Sequence, residues 1–137
     1  MTGSGDHTLR AWRLADGACL RTLTGHTGQV WAVVDVGGGR VASGGSEGVL
    51  AVWDVLSGKQ LQQAPTGEGF ILCAAALRGD CVATGHYQMR EIRLWSLRED
   101  VGEAGVLQGH KASVCSLTVA GSGNSGGCGA AAAGLRQ

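Results

Sequence analysis

Charge is scarce in this chain. Eleven Lys and Arg face eleven Asp and Glu among 137 residues, so the formal net charge is zero and the charged share is 16%, where ~25% is usual. A phosphate-binding surface carries a basic stripe. Here the cations stand singly, which argues against nucleic acid as a partner. Long apolar runs are missing too. No stretch reaches the ~18 residues of a membrane span, and the opening MTGSGDHTLR lacks the charged start and apolar stretch of a secretory leader. The expectation is an intracellular protein, cytoplasmic or nuclear, with no membrane partner. The five cysteines (Cys19, Cys73, Cys81, Cys115 and Cys128) form an odd set with no C-x-x-C. Neither a disulfide framework nor a zinc site is expected from that spacing. Cys73 and Cys81 flank a turn and could meet across a strand pair, but a reducing compartment argues against a bridge. Proline occurs once, at Pro65.

Glycine, by contrast, is abundant, at 25 residues, more than twice the usual ~7%. Apolar residues make up 44% of the chain. That is enough to build a core, and no Gly-X-Y period appears, so fully disordered and collagen-like readings are poor. The glycines and tryptophans instead recur at a fixed interval. Trp12, Trp53 and Trp95 lie 41 and 42 residues apart. An aliphatic residue follows each at the second position: Leu14, Val55 and Leu97. Gly25, Gly67 and Gly109 come 13 or 14 residues after each Trp and precede His26, Glu68 and His110. Thr2, Ser43 and Thr84 are spaced by 41 residues, and each precedes a glycine: Gly3, Gly44 and Gly85. Several columns sharing one period identify a tandem repeat.

Each repeat reads as short strands. Val30–Val34 is a continuous apolar run with β-branched residues, suited to a strand buried on both faces. Turns at Gly37–Gly39, Gly44–Gly48 and Ser57-Gly58 separate further strands at Arg40–Ser43, Val49–Asp54 and Gln60–Gln63. The next copy runs through Phe70–Ala76, Cys81–Thr84, Glu91–Ser96 and a strand near Val106. Helices are excluded by glycine density and by the lack of a sustained 3.6-residue period.

A period of ~40–45 residues, four strands per unit, a Gly-His near the start and a Trp-Asp near the end mark the WD40 repeat. The sequence resembles that family over residues 1–119. Gly25-His26 and Trp53-Asp54 frame the best copy, while the other copies end in Trp12-Arg13 and Trp95-Ser96. The resemblance implies an all-β, partial WD40-like β-propeller of about two full four-stranded blades plus two partial ones. The expected division is a partial blade at 1–24, blades at 25–66 and 67–108, the start of a further blade at 109–119, and a Gly/Ala/Ser tail at 120–137, read as disordered. It also implies a structural hydrogen-bond chain from a turn carboxylate through His and Ser/Thr to the Trp indole. His26, Ser43 and Trp53 match it, with Glu47 where Asp is usual. Thr2, Asp6 and Trp12 match in the first unit, and Thr84 and Trp95 in the third, where Glu68 stands in the place of His. His110 opens the next unit. Recurrence at the repeat period makes these residues scaffold rather than site.

Catalysis finds no support. No H-E-x-x-H or phosphate-loop lysine motif occurs, and no G-x-S-x-G stands at the strand-to-helix turn of a nucleophile elbow. No catalytic residue, metal or cofactor is expected, and Cys73 with His86 is not a convincing thiol–imidazole pair because Cys73 lies in an apolar strand. The resemblance implies a non-catalytic scaffold or adaptor that binds other proteins, in a multi-subunit complex in many relatives. The alternative is a nonfunctional or interfering fragment of a larger propeller protein, such as a ubiquitin-ligase substrate receptor, since the chain looks like a truncated or alternative form of one. The segment His86–Glu91 departs most from the repeat. His86, Tyr87, Met89 and Arg90 are therefore the candidate partner contacts, against the plainer reading of a drifted, solvated loop. Trp31 breaks the tryptophan period, and either core packing or a central-channel contact would suit it.

Overall fold

The computed structural model describes residues 1–67, 69–78, 80–98 and 101–119, and the backbone of Ala132–Leu135. Its regular elements are all β-strands. No helix among the described residues is long and apolar enough to cross a membrane.

The strands fall into successive antiparallel sheets. β1 (Thr2–Gly3), β2 (Leu9–Trp12) and β3 (Cys19–Leu23) pair in that order. β4 (Val30–Gly37), β5 (Arg40–Gly45), β6 (Val49–Asp54) and β7 (Gln60–Pro65) form a four-stranded meander. β8 (Ile71–Leu77), β9 (Cys81–His86), β10 (Ile92–Ser96) and β11 (Gly102–Leu107) form a second one. β12 (Val114–Thr118) pairs with β13 (Ala132–Leu135). That last strand falls within the stretch read as disordered from its composition. Backbone pairing makes few demands on side chains, so Gly/Ala composition does not preclude it. The rest of the 120–137 tail lies outside the described residues.

The core lies between sheets rather than within any one of them. Leu9 and Leu23 of the first sheet meet Val30, Val41, Ala51 and Trp53 of the second. Ala42, Leu50 and Val52 of the second meet Ile71, Val82 and Trp95 of the third. Cys73, Ala83 and Ile92 of the third meet Val114 of β12. The glycines after Thr2, Ser43 and Thr84 explain how the sheets come so close. A Cβ at Gly3 would stand 2.7 Å from Val30, one at Gly44 would stand 2.6 Å from Ile71, and one at Gly85 would stand 2.6 Å from the Val114 carbonyl. The first aliphatic residue of each sheet's opening strand thus fills a socket over the preceding sheet's glycine.

Two expectations need correction. Val30–Val34 is not buried on both faces: Val30 and Ala32 are buried while Trp31 is exposed. β4 is an edge strand, and the first half of it has close neighbours on one face only. The strands buried throughout are the central ones, β9 completely and β5 except at Arg40. Cys81 is disulfide-bonded, whereas Cys19, Cys73 and Cys115 are free. Cys73 and Cys81 are thus not bridged to each other, but spacing along the chain does not fix approach in space, and the reducing-compartment argument against bridges fails at Cys81.

Candidate functional site

The repeat's polar columns meet inside the sheets. In the second sheet Ser43 lies on β5 and Trp53 on β6, both buried. Trp53 Nε1 donates to Ser43 Oγ at 2.8 Å, and His26 Nε2 lies 2.7 Å from the same oxygen. His26 Nδ1 faces Glu47 Oε1. An indole N–H can only donate. Ser43 therefore accepts from Trp53 and gives its own proton to Nε2, which leaves Nδ1–H to donate to the Glu47 carboxylate. The glycine of Gly25-His26 is required by the same arrangement. Its φ is 151°, and a Cβ there would stand 2.8 Å from the Trp53 ring.

The third sheet builds the same sequence of bonds differently. Trp95 Nε1 donates to Thr84 Oγ1 at 2.8 Å. His86 Nε2 lies 2.9 Å from that hydroxyl, and His86 Nδ1 lies 3.1 Å from the Gly69 carbonyl. His86, a candidate surface contact from sequence, is completely buried. It sits two residues after Thr84 on β9, so both side chains leave the same face of the strand. That i, i+2 relation was the signal in the sequence, and a search by repeat column passes over it. Glu68, the residue at the usual histidine position, lies outside the described residues.

The remaining matches are sparser. Trp12 Nε1 donates to Thr2 Oγ1 at 2.8 Å in an exposed setting. Asp6 does not join them; it accepts from Thr8 N and Oγ1 at 3.1 and 2.6 Å. The Thr8 hydroxyl is the main influence holding its carboxyl below the usual range. His110 is half-buried and makes no hydrogen bond among the described residues. No group of metal-ligating side chains occurs among the described residues.

A different set of side chains faces solvent. The chain has six Trp, Phe and Tyr residues, and three of them set the repeat period. The other three touch one another. Trp31 and Phe70 meet edge-to-face, with centroids 5.5 Å apart and planes at 80°. Phe70 stacks on Tyr87 with centroids 5.8 Å apart and planes at 19°. They are 42%, 43% and 48% exposed. The fold aligns them at one end of the sheets. Trp31 is the second residue of β4, Phe70 immediately precedes β8, and Tyr87 immediately follows β9. Tyr87 N donates to the Phe70 carbonyl at 2.8 Å. Beside this ladder Met89 is half-buried and Arg90 exposed. Tyr87 and Arg90 thus lie at the surface as the sequence suggested, Met89 is partly covered, and His86 points inward.

Residues 17–54 match the model of the family described as "WD domain, G-beta repeat". The solved structure of U3-55K superposes with a TM-score of 0.78 at 20% sequence identity, covering 85% of this chain and 36% of that one. The chain therefore spans about a third of that structure's length, and at this identity the likeness speaks for the fold. A comparison with curated proteins gives no significant match. The repeat period, the Trp–Ser/Thr pairs, the sheet order and the matched segment agree: residues 17–54 match a WD40 repeat, and the chain has a propeller-type β fold.

Proposed function

We propose that this chain is a non-catalytic protein-interaction module, and that its docking surface is the Trp31–Phe70–Tyr87 ladder. WD40 repeats generally mediate contacts between proteins. The observation that carries the reading is the exposure of three rings in a row, Trp31 edge-on to Phe70 and Phe70 stacked on Tyr87. Aromatic side chains present much contact area at low conformational cost and are enriched in interface hot spots. The buried histidines are committed to the sheets' own hydrogen bonds, which leaves them no catalytic role in this reading. An intracellular setting, cytoplasmic or nuclear, belongs to it as well; the free thiols of Cys19, Cys73 and Cys115 favour it and the disulfide at Cys81 speaks against it.

A second apolar region provides the control. A groove between the first and second sheets is lined by Leu20, Val33, Val55 and Leu56 among others. In quantitative affinity capture from cell extract, Trp31→Ala and Tyr87→Ala should lose the same specific partners while Leu56→Ala retains them. Identical partner sets for wild type and the two ladder variants would sink the assignment.

A further inference from the structure

We infer that the partner docked on the aromatic ladder is an extended, acidic peptide segment of another protein; this rests on the docking reading above. Among the described residues, the exposed charges beside the ladder that lack any partner are cationic. Elsewhere in the first three sheets four cations form ion pairs: Arg10 with Asp6, Arg13 with Asp16, Arg40 with Asp80, and Arg93 with Glu91 and Glu103; Arg21 donates to the Ser57 carbonyl, and Lys59, Arg78 and Arg98 make no ion pair among the described residues. Carboxylates at the ladder's end are engaged as well. Asp6 is held by Thr8, Glu47 by His26, and Glu91 by Arg93 and Gln108.

Arg90 and Lys111 are set apart by their place in the fold. Both are exposed, and neither makes an ion pair among the described residues. Both also belong to segments that meet at the Tyr87–Arg90 turn. Arg90 is in that turn. Lys111 is two residues from Ser113, whose Oγ accepts from Gln88 N at 2.8 Å. The loop before β12 is thereby held against the Tyr87–Arg90 turn. The result is a row of rings with, at one end, two segments carrying cations that make no ion pair among the described residues.

This chemistry selects its occupant. The ring spacings of 5.5 and 5.8 Å together match the reach of about three to four extended residues at ~3.3 Å each. The rings already touch, so they leave no gap for a cation to enter between them and present faces and edges instead. Such a ridge suits proline, aromatic or aliphatic side chains of an extended strand. Carboxylates beyond that strand's end would face Arg90 and Lys111, giving charge complementarity that orients the peptide.

The test is selection of random displayed peptides, about 12 residues long and so ample to span the ladder, on the full chain. Enriched peptides should combine Asp or Glu with proline, aromatic or aliphatic residues. Their binding should weaken at least about tenfold when salt is raised, and again in the Arg90→Glu, Lys111→Glu double variant. That variant, used as bait, should itself select basic peptides. Neutral or basic peptides enriched on wild type and lost with Trp31→Ala would overturn the acidic partner while leaving the docking surface standing. No enrichment, or enrichment indifferent to both Trp31→Ala and Tyr87→Ala, would overturn both. Displacement of the acidic peptides by oligothymidylate, with direct binding of that oligonucleotide lost in the same variants, would replace the peptide by single-stranded nucleic acid.

Discussion

In the second sheet the imidazole beside Ser43 comes from a loop, at His26, and its far nitrogen meets the Glu47 carboxylate. In the third sheet the imidazole beside Thr84 comes from the strand itself, at His86, and its far nitrogen meets a backbone carbonyl. The indole, the hydroxyl and the ring tautomer are the same in both. The interior therefore demands a ring that accepts from the hydroxyl at Nε2 and donates from Nδ1 to an oxygen. Which segment supplies that ring, and whether the oxygen is charged, is left free. A buried hydroxyl and indole must find partners, and an unsatisfied one costs more than the ~1 kcal/mol a hydrogen bond contributes.

The comparison can be broken most directly at His86. His86→Ala removes a completely buried ring and leaves the Thr84 hydroxyl without its acceptor. A loss of about 2–4 kcal/mol is expected in urea unfolding. A loss under ~0.5 kcal/mol, the range of a surface substitution, would place the ring outside the interior. His26→Ala should cost somewhat less, about 1–3 kcal/mol, because Glu47 can regain water. An unchanged midpoint would dissociate His26 from the second sheet's stability. Gly44→Ala tests what the two sheets share. Its new methyl meets Ile71, and overpacking of this kind costs about 1–3 kcal/mol, read by thermal unfolding; a neutral result would mean that Ile71 yields.

Glu47→Gln sharpens the comparison at its fine point. If a neutral carbonyl suffices in the third sheet, a side-chain amide oxygen should suffice in the second, and the change should stay under about 1 kcal/mol. A much larger loss would show that the carboxylate charge matters to His26. The smallest effect is expected at Cys73. Burial pushes its thiol up from 9.0 to about 11. The unfolded thiol ionises first as pH rises, so this group favours unfolding between about pH 9 and 11 and is silent below. Iodoacetamide at pH 8 should therefore label exposed Cys19 long before Cys73, as mass mapping would show; equal rates would mean that the third sheet opens readily.

The sheet order and three of the indole–hydroxyl pairs were legible in the sequence because each depends on a residue that recurs at one spacing. Trp12, Trp53 and Trp95 announce themselves, and Thr2, Ser43 and Thr84 follow them. His86 was hidden because its role came from a non-equivalent position, reached through the two-residue alternation of a strand rather than through the repeat. Trp31 was visible as the tryptophan out of step, but its neighbours were not. Phe70 and Tyr87 lie 39 and 56 residues beyond it, and it takes both the packing of β4 with β8 and the pairing of β8 with β9 to bring the three together. Cys81 was misread for a related reason, since chain spacing does not report spatial approach.

The sockets at Gly3, Gly44 and Gly85 have a consequence for how this architecture tolerates change. Each joint depends on a bare backbone patch and one aliphatic knob, so assembly instructions occupy a few positions in every repeat. Apart from the positions of Gly25, His26 and Glu47, the loops between them have a lighter duty. They can lengthen, exchange residues or acquire rings and charges, as the Tyr87–Arg90 turn has done, without disturbing how the units fit. A fold joined in this way separates the grammar of assembly from the vocabulary of recognition, and mutational scanning should find the two written in different places.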